Sequence, residues 1–191
     1  ATRIASRDYG GRVGVIAKVM GPLSIVQAMH GVDQTMMDMI LAPDKVRHFL
    51  DRAVEVLARC ANAELEEGAD AIAIGEGGAG GSMLSPQMHE RFLLDVHRRM
   101  ITEIQGPTIM HICGDITPRL DTLSQAGLSC FNFDWAIAPQ VMVDQAGGAF
   151  RLMGNVNTVD LLLGGPEKIE RQVVENLEAG IDIISPGCAI S

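Results

Sequence analysis

The sequence predicts an α/β fold, namely part of a (β/α)8 TIM barrel in which about six βα units are present. Two observations lead there. Short apolar runs alternate with stretches of helical spacing along the whole chain, which is the pattern of parallel strands joined by crossover helices. Polar or ligand-type residues follow nearly every run: Glu76; His111 and Cys113; Asp134; Asn155 and Asn157; Cys188. A doubly wound sheet would instead concentrate its site at one switch point, so convergence from many strand ends favours the barrel.

Residues 1–12 are polar, carry Gly10-Gly11, and read as a loop or the trailing end of an earlier unit. The first strand falls on residues 13–20 and is closed by Gly21-Pro22, with Pro22 at a first helical position. Helices follow over 22–30 and 32–41. Pro43 then opens a long amphipathic helix to about Gly68, with Val46, Phe49, Leu50, Val54, Leu57 and Leu65 at helical spacing. Residues 71–74 form the next strand, and the glycine-rich loop 75–82 follows it. That loop has neither a Gly-Lys-Ser/Thr ending nor a Gly-x-Gly-x-x-Gly leading into a helix, so it reads as a lid rather than a phosphate cradle. A helix over 86–105 precedes the apolar run Thr108-Ile109-Met110-His111-Ile112. The alternation continues with a helix over 117–126, a strand at 129–133, a helix over 139–145 and a strand at 150–153. A helix over 166–179 leads to a last strand at 181–184. The chain is thus expected to be a single barrel domain over 1–191, truncated at both ends, whose full form needs about two more strands and some 250 residues.

Composition narrows the function. A net charge of −9 with no basic stripe argues against a nucleic-acid partner. No apolar run approaches the ~20 residues that cross a bilayer, and the first residues lack the apolar segment of a secretory signal, so a cytoplasmic, membrane-free protein is expected. Four cysteines in 191 residues make no disulfide framework.

The chemistry centres on a His-x-Cys pair. In a strand, His111 and Cys113 leave the same face and reach one ion, and Cys188, after another apolar run, occupies the equivalent position. Imidazole and thiolate donors suit zinc, and three protein ligands with one vacant position mark a catalytic rather than a structural ion. A thiol in that position would be deprotonated to a zinc-bound thiolate, and two thiolate ligands keep it nucleophilic; the set leans toward alkyl transfer to sulfur. Asp134 and Glu76 are candidate catalytic carboxylates, with loop capping as the plainer reading of Asp134 and solvation that of Glu76. Asn155 and Asn157 are candidates for binding substrate or cofactor, with turn stabilisation as the alternative. Cys60 and Cys130 read as core, and His30, His48, His89 and His97 as surface or second-layer groups.

The runs His111-Ile112-Cys113-Gly114, Phe133-Asp134-Trp135, Met153-Gly154-Asn155-Val156 and Ser185-Pro186-Gly187-Cys188 together resemble the uroporphyrinogen decarboxylase superfamily. Within it they are most similar to the zinc-dependent methylcobamide:coenzyme M methyltransferases. Gly21-Pro22, Glu67-Gly68-Ala69-Asp70 and Leu84-Ser85-Pro86 extend the likeness over essentially the whole chain. The resemblance implies a (β/α)8 barrel that takes a methyl group from the corrinoid (cobalamin) of a partner protein and passes it to coenzyme M or another small thiol. It implies His111, Cys113 and Cys188 as ligands of Zn2+, with Asp134 and Glu76 lining the cavity. The alternative it leaves is a metal-free decarboxylase of the uroporphyrinogen type.

Overall fold

The computed structural model describes residues 1–188. Strands β1 (Ile16–Met20), β2 (Ala71–Gly75), β3 (Thr108–Ile112), β4 (Cys130–Phe133), β5 (Arg151–Val156) and β6 (Ile183–Pro186) pair in parallel and in sequence order. Each strand therefore adds beside its predecessor with no reversal, which is the wall of a barrel and not a doubly wound sheet. The six strands form part of a (β/α)8 barrel.

The side-chain period of two sorts the strands into two faces. Ile72, Ile74, Met110, Ile112, Phe131 and Phe133 point outward and are sealed under the helices. The opposite face carries Lys18, Gly75, His111, Asn132 and Met153 into the concave side, where Gly75 pairs with His111, His111 with Asn132, and Asn132 with Met153.

Helix α4 (Pro43–Glu66) packs on β1 and β2, and α2 (Pro22–His30) and α3 (Val32–Leu41) pack against α4. Pro22 and Pro43 begin their helices, where the missing N–H has no partner to lose. α4 buries Val46, Leu50, Val54, Leu57 and Ala61 along one stripe, at about 1.5–3 kcal/mol for each larger side chain. Cys60 lies off that stripe and is exposed, correcting its core reading. Further along, α5 (Pro86–His89) and α6 (Asp95–Glu103) are joined by a π-helical turn, Glu90–Leu94. That turn changes the helical phase. His89 and His97, flanked by charged residues and expected near the surface, are instead 1% and 0% exposed. After β3 come α7 (Leu120–Ser124), α8 (Pro139–Ala146), α9 (Thr158–Leu163) and α10 (Pro166–Ala179).

Two helices depart from the sequence reading. α1 (Thr2–Tyr9) replaces the expected loop; it buries no residue and so shows no apolar stripe in the sequence. It is held by a bidentate Arg3–Glu67 ion pair and by the seat of Ser6 on Gly68, where a Cβ would come within 2.3 Å of Ser6 Oγ. α9 was not expected either; it also buries nothing and is started by Asn157, whose side chain accepts from Val159 N at 2.8 Å and Asp160 N at 3.4 Å.

Candidate metal centre

The carboxyl ends of β3 and β6 bring His111, Cys113 and Cys188 together. His111 Nε2 lies 3.2 Å from Cys113 Sγ, the two sulfurs are 3.5 Å apart, and all three donor atoms fall within 4.8 Å of one another. Zinc bond lengths of ~2.0–2.3 Å and tetrahedral angles put neighbouring donors about 3.5–3.8 Å apart, so the set fits one such ion. His111 Nδ1–H donates to the Asn132 carbonyl at 3.0 Å, which leaves the Nε2 lone pair facing the sulfurs.

The electrostatics favour a cation. Burial lowers the His111 pKa, keeping the ring neutral and able to ligate. Burial, and then the adjacent Cys188, push the Cys113 thiol up to about 12. Two close, partly buried sulfurs cannot both ionise unless positive charge is supplied between them.

The neighbouring residues lock this geometry. Asp134 accepts from Gly114 N at 2.9 Å and Ala136 N at 2.8 Å, tying the residue after Cys113 to the end of β4. Gly114 turns there with φ +77°. Cys188 is delivered by Gly187, whose N–H donates to Val156 O at 2.8 Å and where a Cβ would meet Trp135 N at 2.7 Å. Asn132 donates to Ser185 Oγ at 2.9 Å and to the Met153 and Pro186 carbonyls at 3.2 Å, joining β4 to β5 and β6.

Other sequence-predicted site residues take supporting places. Glu76 is neither solvated nor at a cavity wall: it is fully buried and accepts from Leu23 N, Ser24 N and Ser24 Oγ at 3.3, 2.8 and 2.9 Å, anchoring the start of α2. Its other contact is His97 Nε2, at 3.2 Å. Asn155 is buried and donates to Ile137 O at 2.6 Å and Asp134 O at 3.3 Å, while Asn157 caps α9. Neither asparagine is brought to the cluster; both brace loops, the plainer alternative of their sequence reading. The glycine loop is not a loose lid. Ala79 is fully buried, Arg119 Nη1 donates to Ala79 O at 2.6 Å, and Gly81 N donates to Cys113 O at 2.9 Å. The loop packs beneath the ligand turn and supports it.

Two cavities meet at the cluster. An inner one of about 170 Å³ runs along the strands beside Ala73, Ile109 and Met153; a mouth cavity of about 460 Å³ opens past Met20, Gln27 and Gly78. His111, Cys188, Gly75 and Lys18 border both. Sequence reading passed over Lys18 and Asn132, although each is a single polar residue inside an apolar strand run.

A partial (β/α) barrel with an imidazole and two thiols converging at the carboxyl ends of its strands defines a barrel protein with a soft-metal donor set at its mouth. More specifically, the chain belongs to the uroporphyrinogen decarboxylase (URO-D) family, whose pattern matches residues 1–191. It is 30% identical over 197 residues to the methylcobamide:CoM methyltransferase MtaA of Methanosarcina barkeri, covering 100% of this chain and 57% of that protein. It is 27% identical over 186 residues to a methylated-thiol–coenzyme M methyltransferase of Methanosarcina mazei, covering 97% of this chain and 50% of the relative. A solved methyltransferase from Methanosarcina mazei superposes with a TM-score of 0.94 at 30% identity, over 99% of this chain and 57% of that one. The chain thus spans about half the length of the curated relatives it matches.

Proposed function

We propose that this chain carries the thiol-activating site of a methyltransferase that moves a methyl group from the corrinoid of a partner protein to a small thiol, with coenzyme M as the acceptor. The observation that carries the reading is the His111–Cys113–Cys188 cluster, three donors within 4.8 Å of one another at the junction of two cavities. The names of the methylcobamide:CoM methyltransferase relatives support it. His111, Cys113 and Cys188 would hold a zinc ion. When bound, such an ion lowers the pKa of a thiol at its vacant position and keeps the sulfur nucleophilic at neutral pH.

The chain's own groups define the rest. Asn132 fixes the imidazole through its carbonyl, and Asp134 fixes the turn that carries Cys113, so the donors are held before substrate arrives. The inner cavity takes the small thiol, and the larger mouth admits the methyl donor. In the net step an S–C bond forms as the Co–C bond breaks; the electron pair of that bond stays on cobalt, and the thiol proton passes to solvent. Asp134 and Glu76 support the site through backbone and helix contacts.

The test uses the full-length protein. Demethylation of methylcobalamin is followed by its visible spectrum with coenzyme M present, in wild type and in Cys188→Ala. Methyl transfer and one bound zinc per wild-type chain, both lost in the variant, are expected; full thiol methylation by the variant would overturn the reading. The family's name raises decarboxylation as the second reading. A decarboxylase activity that survives exhaustive chelation, with no thiol methylation, would favour it.

A further inference from the structure

We propose that Arg119 and His89 form an internal binding site for a small monovalent anion, of chloride size, behind the loop that supports the ligand turn. The site is separate from the metal centre and independent of the methyl-transfer reading: neither residue borders the two cavities that meet at the cluster.

An arginine is almost never fully buried without a partner for its charge. Arg119 ends the 3-10 turn Thr117–Arg119, is 3% exposed, and makes no ion pair among the described residues. Arg52, Arg99 and Arg151, by contrast, lie nearer the surface and rest on Glu55, Asp51 and Asp182 at 2.6, 2.9 and 2.9 Å. The acids around Arg119 are engaged elsewhere. Asp115, whose charge reaches the guanidinium, turns Oδ1 to Thr117 N and Oγ1 at 2.9 and 2.7 Å. Glu76 has Oε1 on Ser24 and Oε2 on Leu23 N and His97. Glu90 and Asp121, close to His89 and Arg119 in the chain, are exposed.

The hydrogen bonds lead to the same place. Arg119 Nη1 donates to Ala79 O at 2.6 Å, while Nη2 meets no acceptor among the described residues. His89 is 1% exposed, and both of its ring nitrogens likewise lack partners there. α5, which ends at His89, packs on the 3-10 turn that ends at Arg119, so these groups share one interior region. The His97 ring, centred 5.5 Å from that of His89, adds a further unpartnered nitrogen, Nδ1. The π-helical turn Glu90–Leu94 separates the two histidines, and such turns concentrate at functional positions.

A neutral imidazole carries one N–H, and a guanidinium keeps its charge at any ordinary pH. Arg119 and His89 therefore offer N–H donors and one uncompensated positive charge in a region closed to solvent. A water molecule would satisfy the donors but leave the charge unbalanced; a singly charged anion does both. The enclosure and the single charge select a small monovalent ion over sulfate or a phosphate dianion. Once bound, it fixes Arg119, and through Nη1 the loop at Ala79, whose neighbour Gly81 N holds Cys113 O at 2.9 Å.

The test uses full-length protein in a chloride-free buffer. Melts are compared in sodium chloride, bromide and gluconate at equal ionic strength, gluconate being too large for the site. Wild type should melt about 2 °C or more higher in either halide, with a rise that saturates. Arg119→Met removes the charge and the donors at similar volume and should melt alike in all three salts, while Arg119→Lys should keep part of the rise. Wild-type crystals soaked in bromide should show an anomalous peak within hydrogen-bonding distance of Arg119 Nη2 and a His89 ring nitrogen. The same halide dependence in wild type and Arg119→Met, or a water molecule with no anomalous signal at that position, overturns the proposal. If Arg119→Met does not fold, the bromide map of wild type decides alone.

Discussion

Gly81→Ala tests how the ligand turn is held, at a residue that is not itself a ligand. A Cβ at Gly81 would lie 2.4 Å from Asp115 O, 2.8 Å from Asp115 N and 3.1 Å from its carbonyl carbon. Ordinary contact begins near 3.4 Å, so the chain must part by about 1 Å (3.4 − 2.4). The atoms in the way are backbone and cannot swing aside as a side-chain end would. Gly81 N also donates to Cys113 O at 2.9 Å, so the strain falls on the turn that presents Cys113. Overpacking of this kind costs about 1–3 kcal/mol of stability. Disturbed contacts behind a ligand typically weaken metal affinity by ~10–100-fold. Gly77→Ala in the same loop is the control, because nothing lies within 4 Å of a Cβ there. The assay is a zinc competition titration with a chromophoric chelator on full-length protein, accompanied by thermal melts. Gly81→Ala should bind zinc at least tenfold more weakly and melt lower, while Gly77→Ala matches wild type. Wild-type affinity and melting in Gly81→Ala would refute the argument that this loop braces Cys113.

Further outcomes follow from the same contacts. Glu76→Gln should lose about 1–3 kcal/mol in a urea melt, because a carboxylate that receives two helix N–H groups and a hydroxyl is weakened, yet it should keep its zinc; unchanged stability with abolished turnover would instead make Glu76 a catalytic residue. Burial holds the His89 pKa at about 3, against 6.5 for the free side chain. The unfolded chain therefore takes up that proton first as pH falls, and stability should decline between pH 6.5 and 3 with a slope of up to ~1.4 kcal/mol per pH unit. In His89→Leu the acid limb should flatten, as read by denaturant melts across that range; an unchanged limb refutes the assignment. Because the Cys113 thiol is protonated at neutral pH, metal loading must release its proton, so zinc affinity should rise about tenfold per pH unit between pH 6 and 8 for each proton released. A pH-independent affinity would contradict that protonation state. Asn157→Ala should cost ~1 kcal/mol through loss of the α9 cap, with KM for thiol unmoved.

Much of the fold was legible because it rests on periodicity. α2, α3 and α10 start and stop at prolines and glycines that the chain displays openly, and the strands at 71–74 and 129–133 differ from the structure by one residue at an end. α1 and α9 were not legible because neither buries a residue; one is held by an ion pair with Glu67 and the other by an asparagine cap. The three donors stood out because soft ligands at strand ends are few, and their spacing fixes a common face. Their supports were hidden. Glu76 and Asp134 look alike in sequence, as acids after strands, but one is turned down to a helix start and the other sideways to the ligand turn. Burial of His89 and His97 depends on a π-helical turn that no 3.6-residue pattern reveals.

The most direct measurement is X-ray absorption at the zinc edge on the full-length protein, before and after addition of coenzyme M. One nitrogen and two sulfur neighbours from the protein, with a third sulfur appearing as the thiol is added, are predicted. A shell of oxygen and nitrogen only, or two sulfurs that stay two when thiol is present, would contradict the claim that His111, Cys113 and Cys188 hold an ion with a position free for substrate.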